Sequence, residues 1–101
     1  MYKVTVLYGH PTNTEAFEKY YAETHLPLAA KMKGVIRVEL TKFVAAPGGG
    51  KPASYRMAEL YFSSQADMDR TLSSPEGQAT VADLANFATG GVTVLIGTVE
   101  A

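Results

Sequence analysis

The sequence predicts an α+β fold, a four-stranded antiparallel sheet with helices packed on one face. Three features carry that reading. Four short runs are rich in β-branched and aromatic residues or alternate with the period of a strand. Two stretches with helical spacing separate the first run from the second and the third from the fourth. The second and third runs are joined only by residues 45–52, with two prolines and three consecutive glycines, which read as a long hairpin loop.

Residues 2–8, YKVTVLY, form the first strand, with Tyr2, Val4, Val6 and Tyr8 on one face and Lys3, Thr5 and Leu7 on the other. Pro11 cannot donate to a ladder, so the strand stops there. Thr12-Asn13-Thr14-Glu15 has the spacing of a capping box, with Thr12 as N-cap or Asn13 in its place. The helix that follows gathers Ala16, Phe17, Tyr20, Tyr21 and Thr24 on one side. Pro27 crowds the carbonyl of Glu23 and leaves it without its helical donor, so a bend or break is expected at 25–27. A second helical piece runs from Pro27 to Met32 and ends at Gly34. Residues 35–44 form the second strand, with Ile36, Val38, Leu40 and Val44 facing away from Arg37, Glu39, Thr41 and Phe43. The third strand spans 55–62, with Ala58, Leu60 and Phe62 on its apolar face and Tyr55, Met57, Glu59 and Tyr61 on the other. Ser63 or Ser64 caps a helix with Met68, Thr71 and Leu72 inward. After Pro75 a further helix, 76–87, is expected to bury Val81, Leu84, Ala85 and Phe87, and residues 92–99 close the sheet.

The order β-α-β-β-α-β is that of a split βαβ, ferredoxin-like unit. At 101 residues and 10.8 kDa the chain suits a single domain, residues 1–101. Nine Lys and Arg against ten Asp and Glu offer no basic excess for phosphates, so nucleic acid is not an expected partner. No cysteine is present, which removes disulfides and thiolate chemistry, and two histidines are too few for a multi-histidine metal site within one chain. No targeting segment and no apolar run of membrane-spanning length is visible, so a cytoplasmic protein without a membrane partner is expected. Helices can cover only one sheet face, yet Leu7 and Leu95 oppose Val4, Val6, Val94 and Ile96, so neither face is plainly polar. Such a face invites a second copy, and two sheets facing one another make an eight-stranded dimeric α/β barrel.

Residues 8–35 carry Pro11, a helix with Phe17, Tyr20 and Tyr21, then His25-Leu26-Pro27-Leu28 and Lys33-Gly34. Further on come Ala58-Glu59-Leu60-Tyr61-Phe62, Asp83 and Asn86-Phe87. This pattern resembles the EthD family of dimeric α/β-barrel proteins from Tyr8 to about Phe87. Tyr21 departs from it, because many relatives have Trp there. The resemblance implies a ferredoxin-like fold, a barrel-forming homodimer, and a link to bacterial degradation of ethyl tert-butyl ether, with which the founding member is associated. The wider group includes isomerases, cyclases, cofactor-free monooxygenases and haem proteins, so the resemblance narrows the fold more than the reaction.

His25 is the first candidate for chemistry, since an imidazole titrates near neutrality and serves as acid or base. The competing reading is structural, a ring that bonds a carbonyl freed by Pro27. Asp83, among apolar helix neighbours, needs a partner and would orient His25 as a dyad. Tyr21 or Tyr61 would donate a hydrogen bond to a developing oxyanion. Tyr61 and Glu59 are expected to line the space between two sheets and, with Phe17, Tyr8 and Phe87, to contact a ligand; an interface pair such as Arg37 with Glu59 is the competing reading. His10 precedes a helix N-terminus but follows no glycine-rich phosphate loop, and Lys51 is followed by Pro52, so Gly48-Gly49-Gly50 has no Walker spacing. The expected function is binding of a small apolar or aromatic ligand, with acid/base catalysis of the isomerase, dehydratase or cyclase type, no cofactor and no metal, in a degradative or secondary pathway. A non-catalytic ligand-binding or accessory protein and a cofactor-free monooxygenase are the alternatives.

Overall fold

Strands form where the alternation is cleanest. In the computed structural model, which describes residues 1–100, β1 (Tyr2–Tyr8), β2 (Arg37–Lys42), β3 (Arg56–Phe62) and β4 (Val92–Thr98) make one sheet in the order β2-β3-β1-β4. Every neighbouring pair is antiparallel. The register places Val4 opposite both Leu60 and Ile96, with Val38 opposite Leu60. The next row joins Leu40, Ala58, Val6 and Val94. These rows lie on the face that the helices cover, as predicted for a ferredoxin-like unit.

α1 (Thr14–Tyr20) is capped by Asn13, whose Oδ1 accepts from the Ala16 N–H at 3.0 Å. Thr12, the first expected cap, instead bonds Thr89. The chain does not break at 25–27. It widens into one π-turn, Tyr21–His25, and continues as α2 (Leu26–Ala29). The Leu26 N–H reaches back five residues to the Tyr21 carbonyl. Pro27 supplies no N–H for Glu23 and crowds its carbonyl, and the wider turn relieves that conflict without leaving helical backbone. α2 ends before the expected Met32, where the chain tightens into i→i+3 bonds from Lys31 to Leu28 and from Met32 to Ala29.

α3 (Gln65–Ser73) is capped by Ser64 and α4 (Pro75–Phe87) by Ser74. The two helices meet so closely that a Cβ on Gly77 would fall 2.1 Å from the Thr71 carbonyl oxygen, so only glycine fits. α4 buries Thr80, Asp83, Leu84 and Phe87. Val81 and Ala85, expected inside, are exposed, because the helix turns the stripe through Gly77, Thr80, Leu84 and Phe87 toward the sheet. The core is an aromatic cluster of Tyr8, Phe17, Tyr21, Tyr55, Leu84 and Phe87, with a second group of Val4, Phe62 and Met68. Tyr55 was expected on the open sheet face. It instead meets Phe17 edge to face at 5.2 Å, because β3 begins only at Arg56 and the residue before it is not bound by the strand's alternation.

The open face carries the odd-numbered residues of the central strands. Lys3 pairs with Glu59 at 2.8 Å, and the Tyr61 hydroxyl donates to Glu39 at 2.7 Å. Arg37 pairs with Glu39, its neighbour along β2. The edge strands reach past the helices. Every residue of β4 is exposed, and on β2 Val38 and Leu40 are about half exposed although they share the covered face. Among the described residues no helix is long and apolar enough to cross a membrane.

α1 is tied to the sheet by a two-point ion pair, Arg56 Nε and Nη2 donating to Glu18 at 2.8 and 2.6 Å. The Arg56 hydrogen bonds hold the Glu18 carboxyl at about 2, against an ordinary 4.5 and against the opposing effect of burial. A depressed folded-state pKa stabilises the fold fully above the unfolded value, and that contribution fades as pH falls through the folded one. The melting temperature is therefore expected to drop between about pH 4.5 and pH 2, with a shallower drop in Glu18→Gln. Equal slopes for the two proteins in a pH series of thermal melts would contradict this.

Candidate functional site

Between the helices and the sheet lies a cavity of about 550 Å³, within the size range of small-molecule sites. Its floor is the covered sheet face, with Val4, Val6 and Tyr8 from β1, Ala58 and Leu60 from β3, and Val38 and Leu40 from β2. Its roof is the π-turn, α2 and α4, which contribute Tyr21, His25, Leu26, Thr80 and Leu84. Exposed Ile36, Val38 and Val81 mark its mouth. The wall is mainly apolar, and Tyr8, Tyr21, His25 and Thr80 are the polar side chains set within it, with Arg37 at the β2 edge turned to Glu39.

His25 is 5% exposed, and its Nδ1 lies 2.9 Å from Asp83 Oδ2, within hydrogen-bond distance. The two residues paired in the sequence reading thus come together. The π-turn sets this contact up, since the turn buries Tyr21 and His25 together and stacks their rings at 6.0 Å. Phe87 packs on the other side of the imidazole, ring centroids 4.6 Å apart. Asp83 is 7% exposed, and its second oxygen, Oδ1, accepts from the Tyr20 hydroxyl at 2.6 Å and from Asn86 Nδ2 at 2.9 Å. Burial pushes the Asp83 carboxyl up, but the hydrogen bonds from Tyr20, Asn86 and His25 outweigh it and hold the group below the ordinary carboxylate value. The carboxylate is ionised at neutral pH, and with Nδ1 occupied the remaining nitrogen of His25 is Nε2.

Two tyrosines stand beside the dyad. Burial raises the Tyr8 and Tyr21 hydroxyls above the ordinary phenol value, so both stay neutral O–H groups at physiological pH. The Tyr21 hydroxyl is buried and has no hydrogen-bond partner among the described residues, while Arg56 lies over its ring at 5.0 Å. A buried unpaired hydroxyl costs about 1–3 kcal/mol.

The structure sorts the predicted residues into three places. His25, Tyr21 and Tyr8 line the cavity, with Asp83 directly behind His25. Phe17 and Phe87 form the aromatic wall in the core and face a second, smaller cleft of about 190 Å³. Tyr61 and Glu59 sit on the opposite sheet face, engaged with Glu39 and Lys3, so they do not meet the dyad. His10 hydrogen-bonds the Pro52 carbonyl through Nε2 at 2.7 Å and ties β1's end to the hairpin loop. Sequence reasoning did not assign Tyr20 and Asn86 to the dyad, nor Thr80 to the cavity. The three-residue spacing of Asp83 and Asn86 on one helix was the available signal for Asn86.

The chain matches the EthD domain over residues 10–91. An uncharacterized 11.0 kDa protein in the thcB-thcC intergenic region of Rhodococcus erythropolis is 43% identical over 95 residues, covering 94% of this chain and 91% of that protein. The crystal structure of an EthD family protein from Bacillus halodurans is 31% identical, superimposes with a TM-score of 0.93 and covers 99% of each chain. SnoaB, a cofactor-independent oxygenase from Streptomyces nogalater, is 14% identical with a TM-score of 0.66 over 99% of this chain and 92% of its own, a likeness of fold alone. The domain match and these relatives establish that this ferredoxin-like chain belongs to the EthD family.

Proposed function

We propose that this protein binds a small, uncharged, mostly apolar molecule and moves a proton on it by acid/base catalysis without a cofactor. The single observation that carries the reading is the His25 Nδ1–Asp83 Oδ2 hydrogen bond of 2.9 Å at the wall of an apolar cavity. An imidazole oriented by an ionised carboxylate is a general base whose conjugate acid the same carboxylate stabilises. In this reading Nε2 removes a proton beside a ligand carbonyl, Tyr21 donates to the enolate oxygen, and the imidazolium returns the proton at another atom. Isomerisation, dehydration and cyclisation follow this course, in a degradative or secondary pathway. The apolar wall strengthens each of these polar contacts by excluding water. Arg37, the lining cation, is paired with Glu39, which favours neutral ligands over carboxylates.

The working unit is a cytoplasmic homodimer. Support comes from β4, exposed along its whole length with Val94, Leu95 and Ile96 each about half exposed or more, and from Ile36 and Val38 on the opposite edge. Apolar surface of this extent on both edges and on the open face is what a second copy would cover.

Two experiments test these statements. With 2-tetralone, a neutral aromatic ketone, as probe, exchange of the α-hydrogens for solvent deuterium is followed by NMR. Acceleration by the wild type is expected, with a loss of about 10²–10⁴-fold in His25→Gln at an unchanged melting temperature. Equal exchange rates with wild type and His25→Gln would leave binding without proton transfer. Sedimentation equilibrium at micromolar concentration is expected to give twice the 10.8 kDa chain mass, and a 10.8 kDa species would contradict the dimer.

A further inference from the structure

We propose that Tyr20 and Asn86 are positioning residues, a clamp on Asp83 Oδ1 that locks His25 in the tautomer with its proton on Nδ1 and its free lone pair on Nε2. The value of that lock for turnover rests on the acid/base reading above; the lock itself does not.

The geometry of the carboxylate carries the argument. Asp83 divides its two oxygens between two tasks. Oδ1 accepts from the Tyr20 hydroxyl at 2.6 Å and from Asn86 Nδ2 at 2.9 Å, and Oδ2 faces His25 Nδ1 at 2.9 Å. Rotating the carboxylate away from His25 breaks two further hydrogen bonds inside a site where Asp83 is 7% exposed. Both partners on Oδ1 donate, and an ionised carboxylate only accepts, so the imidazole nitrogen that meets Oδ2 must carry a proton. A neutral imidazole has one such proton, which leaves Nε2 bare. Without the two donors the carboxylate keeps only its contact with His25, and nothing fixes the orientation of its plane. A carboxylate free to turn no longer fixes an acceptor on Nδ1, and the imidazole proton is then shared between Nδ1 and Nε2.

The parts come from three segments whose spacing is set by the backbone. Five residues separate Tyr20 and His25, about 1.4 turns of an α-helix, which would send the two side chains apart. The π-turn between them is wider, and both reach the same carboxylate. Asn86 lies three residues after Asp83 on α4, the spacing at which helical side chains meet. Phe87 stacks on the Tyr20 ring, centroids 5.2 Å apart and planes 22° apart, and holds it in place. Neither Tyr20 nor Asn86 lines the large cavity; both border the smaller cleft behind the aromatic wall. Their influence on His25 therefore passes through Asp83 and not through a bound ligand.

The test is long-range ¹H–¹⁵N NMR of the imidazoles in the full-length, ligand-free protein, with His10 identified by His10→Gln. In its neutral form, wild-type His25 is expected to show the Nδ1–H tautomer alone. In the Tyr20→Phe/Asn86→Ala double variant the single-tautomer signature is expected to be lost, with both ring nitrogens shifting toward a mixture. A folded double variant that keeps the pure Nδ1–H pattern would overturn the proposal, as would a wild type that lacks it. If the double variant does not fold, the two single variants decide: a partial shift in either supports the clamp and no shift in both overturns it. A clamp that merely joined α1 to α4 would lower the melting temperature without moving the tautomer. Failure of the tetralone exchange with an intact tautomer shift would reject the catalytic reading and leave the clamp standing.

Discussion

A carboxylate taken out of water costs several kcal/mol unless donors replace its hydration. Asp83 meets that requirement with three partners from three segments: Tyr20 at the end of α1, His25 at the end of the π-turn and Asn86 on α4 itself. The helical layer is arranged around this group. The π-turn that Pro27 favours brings Tyr20 and His25 to a common side, and Phe87 touches both rings. The same layer roofs the apolar cavity, so the constraint that satisfies the buried charge also delivers the imidazole to the cavity wall.

The two sheet faces are chemically distinct. On the covered face, rows of Val, Leu and Ala floor the cavity, while on the open face Lys3, Glu59, Glu39, Arg37 and Tyr61 bond one another. Only the covered face brings an oriented imidazole against apolar surface. The open face and the bare edges suit contact with another copy of the chain, because their polar groups are already paired and their apolar groups are not covered.

Much of this was legible in the chain because it rests on local rules. Alternation placed four strands, Ser63 or Ser64 was read as the cap of α3, Pro75 marked the start of α4, and Pro27 marked an irregularity within one turn of its position. The pairing of His25 with Asp83 was legible because a carboxylate among apolar helix neighbours needs a partner. What escaped depended on longer-range geometry. Val81 and Ala85 were expected inside because helical spacing gives an apolar stripe but not its rotation against the sheet, and α4 turned Thr80 and Asp83 inward. Tyr55 escaped because its position just outside β3 freed it from the strand's alternation. Tyr61 and Glu59 were put on the correct sheet face, but the cavity lies on the other one. Tyr20 could not be tied to Asp83 while the helix was read as bending or breaking, since the π-turn sets the angle between Tyr20 and His25.

The central claim is that ligand enters between the helices and the sheet, against the face that carries His25. Methyl-resolved NMR with 2-naphthol, a neutral aromatic with one weakly acidic hydroxyl, reads this directly because alternate strand residues report on opposite faces. Saturable shifts are predicted at the methyls of Val4, Val6, Val38 and Leu60, which line the cavity, and not at those of Leu7, Met57 and Leu95. Shifts confined to Leu7, Met57 and Leu95 would place the ligand on the open face and contradict the account.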